Sequence, residues 1–252
     1  MIMRHSLIKT LLKSLKGSDW GMLTDFVSPV FFEVVPAFAV AEVFGKIVAG
    51  YGDKTKFARI KEDVSERIGR PLDLRLAESV HRSSSQSLSN DARKERGRKV
   101  LELYFAQLMV CDTAILDLRS SAFGDNLDWC PAALSYHWQP DFRRAIADMY
   151  RGFYHGDDAV FSGALKALDL THASAIFREH FGKGGQEAVV FDLSSFKSSF
   201  HAIFLSCKEN RSRLHPDFFA LGIYLVCLYE HLEELGIPLD VRSAFMSVDG
   251  LL

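Results

Sequence analysis

The chain has almost no net charge, few cysteines, no unbroken apolar run of membrane length and very little alternating apolar–polar pattern. Each scarcity removes a class of protein. Lys and Arg number 30 against 32 Asp and Glu, a formal net charge of −2. No global field therefore draws the chain to nucleic acid or anionic lipid, which argues against nucleic-acid binding. The four cysteines, Cys111, Cys130, Cys207 and Cys227, form no C-x-x-C and have no closely spaced histidine. That excludes the usual zinc spacing, and they read as small core residues of a reducing compartment, with the cytoplasm as the expected location. Residues 26–48 are strongly apolar, yet Glu33 and Glu42 divide them and Pro29 and Pro36 punctuate them. A carboxylate near a bilayer centre costs ~2.5 kcal/mol or more, and the charge-free pieces 34–41 and 218–229 are too short to span. The chain is expected not to be transmembrane.

What is present is helical. A composition of 48% hydrophobic and 25% charged residues suits a globular protein with a large core. Apolar residues recur at helical spacing, and glycine, proline and aspartate mark the ends. The pattern predicts a helix over 5–16, then a buried core helix over the apolar stretch 22–49, closed by Gly50 and Gly52. Asp53 caps the next, which carries Phe57, Ile60, Val64 and Ile68 and stops at Gly69. A short helix is expected over 71–80. Residues 81–90 (HRSSSQSLSN) are polar and serine-rich, the best linker in the chain. The basic run 93–99 (RKERGRK) is expected to form the solvated first turns of a helix continuing to about Leu118. Residues 122–139 are loop-rich. Further helices are expected from Pro140, then at about 157–168, 172–180, 192–209 and 216–235, with FGKGGQ at 181–186 a helix stop. Candidate strands are confined to 114–118 and 188–191. The fold class is mainly α, a multi-helix globular bundle with at most one small β hairpin. An N-terminal helical segment (1–80), a linker (81–92) and a C-terminal helical region (93–252) are expected to pack as one domain.

The first sixteen residues stand apart. Arg4, Lys9, Lys13 and Lys16 interleave with Leu7, Ile8, Leu11, Leu12 and Leu15, and no acid appears before Asp19. This is the pattern of a basic amphipathic helix, docked on the domain, touching a membrane surface or serving as an organellar presequence. It lacks the unbroken apolar core and small-residue cleavage site of a secretory signal. Elsewhere L-D-[LV]-R recurs at 72–75, 116–119 and 239–242. Asp and Arg two apart do not face each other on a helix, so the aspartate is expected to cap and the arginine to cross to a neighbour. Pro-Asp-Phe opens helices at both 140 and 216. The 20 phenylalanines, on helices such as 191–204, are expected to fill a core, or to line a pocket for a lipid-like ligand.

Catalytic and metal patterns are thin. A di-iron bundle needs Glu-x-x-His on two helices; Glu78-x-x-His81 fits once, and Asp169-x-x-His172 and His231-x-x-Glu234 are imperfect stand-ins. No G-x-S-x-G elbow and no P-loop occurs. The loop-rich stretch collects polar and aromatic groups, making Asp117, Arg119, Trp129, Tyr136, His137 and Trp138 the candidate site if the chain is an enzyme. Residues 112–124 (DTAILDLRSSAFG) resemble the strand and metal-binding Asp-Phe-Gly segment of ABC1/UbiB-type atypical kinases. Residues 140–170 resemble the helical region behind it. The resemblance implies a metal-binding position for Asp117. Here, however, Leu118-Arg119 stands in place of Phe-Gly, and neither His-x-Asp-x-His-Pro-Gly-Asn nor Lys-x-Gly-Gln precedes it, so nothing completes phosphoryl transfer. The leading expectation is a non-catalytic binding or accessory protein acting on a protein partner or an apolar, lipid-like ligand. The alternatives are an enzyme around 117–138 and a metal-dependent helical oxygenase.

Overall fold

Aspartates open many of the helices of this chain, and proline breaks one of them. The computed structural model describes residues 30–81, 87–181 and 188–250. The predicted helix over 5–16, part of the linker and most of the FGKGGQ stretch lie outside these. A residue before proline is forced out of the helical region. Val35 accordingly sits extended at φ −117°, ψ 122°, and the single helix expected over 22–49 is interrupted at Pro36, leaving a short α1 (Phe31–Val34) and a longer α2 (Ala37–Gly52). The Asp53 carboxylate accepts from Lys56 N at 2.9 Å and opens α3 (Lys54–Val64), which loosens into a π turn at Ser65–Gly69. The helix expected over 71–80 does not form. Asp73 takes a left-handed φ of 49°, and the chain leaves the turn extended, Leu76 bridging to Trp129. The Arg75–Asp128 ion pair, at 2.6 and 2.8 Å, ties this run to a later loop.

Ser89 caps α4 (Asn90–Val110) by accepting from Ala92 N. The basic start of α4 is not simply solvated, as the sequence suggested. Arg93 donates to Leu235 O, the buried Arg96 donates to Gly124 O, and Lys99 donates to Leu72 O, at 3.3, 3.0 and 2.7 Å. Three of its cations thus bind backbone carbonyls on three separate segments. Between them Gly97 gives way to a neighbour, for a Cβ there would lie 2.6 Å from both δ-methyls of Leu239.

The helix stops at Val110, well short of Leu118, and the reason is Gln107. This side chain is fully buried. Its Oε1 accepts from Ile115 N at 2.8 Å, and its Nε2 donates to Ile115 O at 3.2 Å and to Tyr224 Oη at 2.8 Å. The amide pairs with Ile115 as a peptide group would, so the chain must turn back at Cys111 to meet it. β1 (Thr113–Ile115) then pairs antiparallel with β2 (Ser135–His137), Thr113 opposite His137 and Ile115 opposite Ser135. This is the small hairpin that the sequence allowed.

The rest is helical: α5 (Pro140–His155), α6 (Asp158–Ala167), α7 (Ser174–Phe181), α8 (Leu193–Glu209), α9 (Asp217–Leu235) and α10 (Val241–Asp249). Carboxylates of Asp157, Asp192 and Asp240 cap α6, α8 and α10, each accepting a backbone N–H of the first turn. α10 lies beyond the last helix that the apolar pattern places. α5 and α6 fold against each other so closely that a Cβ at Gly152 would stand 2.3 Å from Phe161 N. At the centre run α4 and α9. Residues 100–108 of the first and most of the second are buried, and a single apolar cluster takes residues from α1 through α10. Among the described residues no helix is long and apolar enough to cross a membrane.

Gln107→Leu removes the partner of two buried backbone groups, Ile115 N–H and C=O. Each stranded group costs about 1–3 kcal/mol. Urea unfolding is expected to show a loss of about 2–4 kcal/mol with the helical circular dichroism of the native state retained.

Candidate functional site

Asp117 leaves β1 and turns into the core. Its Oδ1 accepts from Arg119 Nε at 2.8 Å, and its Oδ2 accepts from Ala132 N at 2.8 Å and Arg119 Nη2 at 3.2 Å. Its carbonyl accepts from Trp129 Nε1 at 3.0 Å, and that indole stacks on Phe123. The chain here is extended rather than helical, so Asp and Arg two apart reach each other, contrary to the separate contacts expected of this L-D-L-R. At 239–242 the expected arrangement holds: Asp240 caps α10 and Arg242 Nε donates to Tyr154 O. Next door, His231 lies fully buried with Nδ1 3.0 Å from Leu118 O. A carbonyl only accepts, so Nδ1 carries the proton. Both carboxylate oxygens of Asp117 are engaged by donors of the chain itself. The arrangement is that of a buried brace holding the loop 116–134, in which a carboxylate fixes a guanidinium, a backbone amide and, through its own carbonyl, an indole.

The other candidates of this stretch go elsewhere. Tyr136 and Trp138 turn inward and His137 outward, as successive residues of a strand must. Tyr136 Oη donates to Asp217 Oδ1 at 3.0 Å, and Gln139 N donates to Asp217 Oδ2 at 2.9 Å. Burial, with Asp217 beside it, pushes the Tyr136 hydroxyl well above its ordinary pKa. Asp217 N in turn donates to His215 Nδ1, and burial pulls that imidazole below its usual value. One buried aspartate thereby joins the starts of α5 and α9. The two Pro-Asp-Phe repeats differ accordingly, since Asp141 is exposed and Asp217 is not. His137 faces solvent and pairs with Thr113 Oγ1 across the hairpin at 3.0 Å. The structure thus brings Asp117, Arg119 and Trp129 together, joins Tyr136 to Asp217, packs Trp138 against Tyr136 and Phe142, and leaves His137 at the surface.

Glu78 and His81 are exposed and lie on the extended segment, where Glu78 pairs with Lys61 at 3.1 Å. Helical spacing does not apply to them there. Among the described residues no group of three or more His, Cys, Asp or Glu side chains could hold a metal ion.

Phenylalanines and tyrosines pack the middle of the bundle. Between α4, α5, α7 and α9 they leave a cavity of about 40 Å³, walled by Tyr104, Tyr150, Tyr154, His180, Phe181 and Tyr229 among others. The hydroxyls of Tyr104 and Tyr150 bond each other at 2.8 Å, and Tyr229 Oη lies 3.3 Å from His180 Nε2. Ligand pockets run to roughly 300–1,000 Å³. A space of this size suits a water molecule.

A larger concavity lies outside, along the exposed face of α3. Asp53, Thr55, Lys56, Arg59, Ile60, Asp63 and Thr113 line an open groove of about 490 Å³. Positions 56, 59, 60 and 63 share one helix face, and Thr113 of the lining is bonded to His137. Asp63 is held by Arg67 at 2.9 Å. The apolar period 57, 60, 64, 68 marks the side of this helix turned to the core, and of it only Ile60, at the border, reaches the groove; the signal for the groove was the cationic pair at 56 and 59. Comparison of the chain with models of known families, with curated proteins and with solved structures gives no match.

Two measurements follow from these sites. Breaking a buried ion pair strands the remaining charge, so Asp117→Asn is expected to lower stability by about 3 kcal/mol in urea unfolding. In a double-mutant cycle with Arg119→Met, the second change should cost far less in the Asp117→Asn background than alone. Burial pulls the His180 imidazole from 6.5 down to about 4. Between those values the unfolded chain holds a proton that the folded chain does not, so stability falls as pH drops from 6.5 to 4. Thermal melts should record that slope in the wild type and a shallower one in His180→Gln.

Proposed function

We propose that this chain is a non-catalytic helical binding or accessory protein, and that it works on a protein partner through its surface. The observation that carries the reading is the contrast between the inside and the outside. The polar groups that could serve catalysis, Asp117 and Asp217, already accept hydrogen bonds from the chain at both carboxylate oxygens. The aromatic cavity between α4, α5, α7 and α9 measures about 40 Å³. The groove on α3, by contrast, is open, with Lys56 and Arg59 beside Ile60. Cations next to an apolar side chain suit a polypeptide segment that presents a carboxylate and a small apolar group. The cytoplasm is the compartment that four free cysteines, three of them buried, favour.

The test pairs affinity with stability. Lys56→Glu with Arg59→Glu alters exposed side chains, so the melting curve is expected to stay within about 0.5 kcal/mol of the wild type. A partner that co-purifies with the wild-type chain is expected to bind the double variant at least about tenfold more weakly. Undiminished binding by the variant would overturn the assignment to this groove. Substrate turnover by the purified protein, lost on Asp117→Asn at a temperature where that variant is folded, would overturn the non-catalytic reading.

A further inference from the structure

A buried hydroxyl needs an acceptor for its hydrogen, and the groups around the aromatic cavity hold more hydrogens than acceptors among themselves. Four phenols and one imidazole stand on the wall of that space of about 40 Å³: Tyr104 on α4, Tyr150 and Tyr154 on α5, His180 on α7 and Tyr229 on α9. The bond between Tyr104 and Tyr150 uses one hydroxyl hydrogen, and the other hydroxyl of the pair keeps its own. The contact between Tyr229 and His180 engages Nε2 of the ring and leaves Nδ1 with no partner among the described residues. Tyr154 is only 4% exposed, and its Oη makes no hydrogen bond among the described residues.

These groups ask for different things. The two hydroxyls offer hydrogens. Nδ1 of a neutral His180 offers a hydrogen if Tyr229 donates to Nε2, and a lone pair if Nε2 donates to Tyr229. No Asp, Glu, Lys or Arg lines the cavity, so an ion would enter without a counter-charge. An apolar guest would leave all three groups unmet. Water both accepts and donates, and to hold one molecule a site needs roughly 10–15 Å³ of such space and two to four polar partners.

We propose that this cavity is a binding site for an ordered water molecule, held by Tyr154 Oη and His180 Nδ1, with the spare hydroxyl of the Tyr104–Tyr150 pair beside them. The inference is independent of the groove on α3. The water supplies a polar tie that α5 and α7 otherwise lack. Among the described residues no hydrogen bond joins these two helices, and Phe181 packs its ring on Tyr150 and Phe153 at centroid separations of 4.9 and 5.1 Å. Through His180 and Tyr229 the tie runs on to α9.

The test is a high-resolution crystal structure of the full chain and of Tyr154→Phe, which removes one oxygen and keeps the ring. The expected result is an ordered water about 2.7–3.2 Å from both Tyr154 Oη and His180 Nδ1 in the wild type, and its loss in the variant. Urea unfolding supplies an independent sign. A hydroxyl bonded to water contributes to stability, so Tyr154→Phe should lower the ratio of folded to unfolded chain about fivefold. A hydroxyl with no partner costs stability, and removing it would raise that ratio instead. A wild-type cavity without ordered water would overturn the proposal. So would a water that stays in place in Tyr154→Phe, or a variant as stable as the wild type or more so.

Discussion

The interior helices α4 and α9 have almost no access to water along their central turns, so each polar group they carry must find its partner inside the protein. An unpaired buried donor or acceptor costs about 1–3 kcal/mol, a large share of the stability of a protein this size. Gln107, Tyr104 and Tyr224 meet the requirement among themselves and the backbone, with Tyr224 Oη donating to Tyr104 O and accepting from Gln107. Asp217 meets it at the start of α9 and Arg93 at its end, where Leu235 O accepts. The hairpin, the loop after it and the starts of two helices are therefore placed by the hydrogen-bonding needs of two buried rods.

The same requirement explains why the 117–139 stretch looks like an active site in the sequence. Polar residues set among tryptophans and tyrosines are what a catalytic pocket needs, and they are also what a buried loop needs to satisfy its backbone. Asp117 binds Ala132 N, and Trp129 binds Asp117 O, so the aromatic and polar partners serve the chain's own peptide groups. Composition alone does not separate the two uses. Which donors fill the carboxylate decides between them, and that is a property of the folded chain.

Local signals carried most of the helices. Asp53, Asp157, Asp192 and Asp240 cap where a short acidic side chain precedes an apolar period, and Gly156 and Gly236 end α5 and α9 in the left-handed conformation at φ 74° and 61°. What could not be read depended on distant partners. The end of α4 is set by Gln107 reaching Ile115, eight residues on. The absence of a helix over 71–80 follows from Leu76 and Arg75 pairing with Trp129 and Asp128, more than fifty positions away. The basic residues 93, 96 and 99 looked solvated because the carbonyls that receive them lie on other segments. The groove on α3 was hidden for the opposite reason, since Lys56, Arg59 and Asp63 sit on the polar side of an amphipathic helix and polar sides are ordinarily read as facing only water.

A ribbon of two three-residue strands has two open edges, and an open edge invites a strand from another molecule. β1 escapes this on its outer side. Thr113 and Ile115 point their peptide groups that way, and at Ile115 both the N–H and the C=O are occupied by one glutamine side chain. Gln107 therefore acts as a plug against templated strand addition, giving a helical protein that carries a β ribbon protection from growing it.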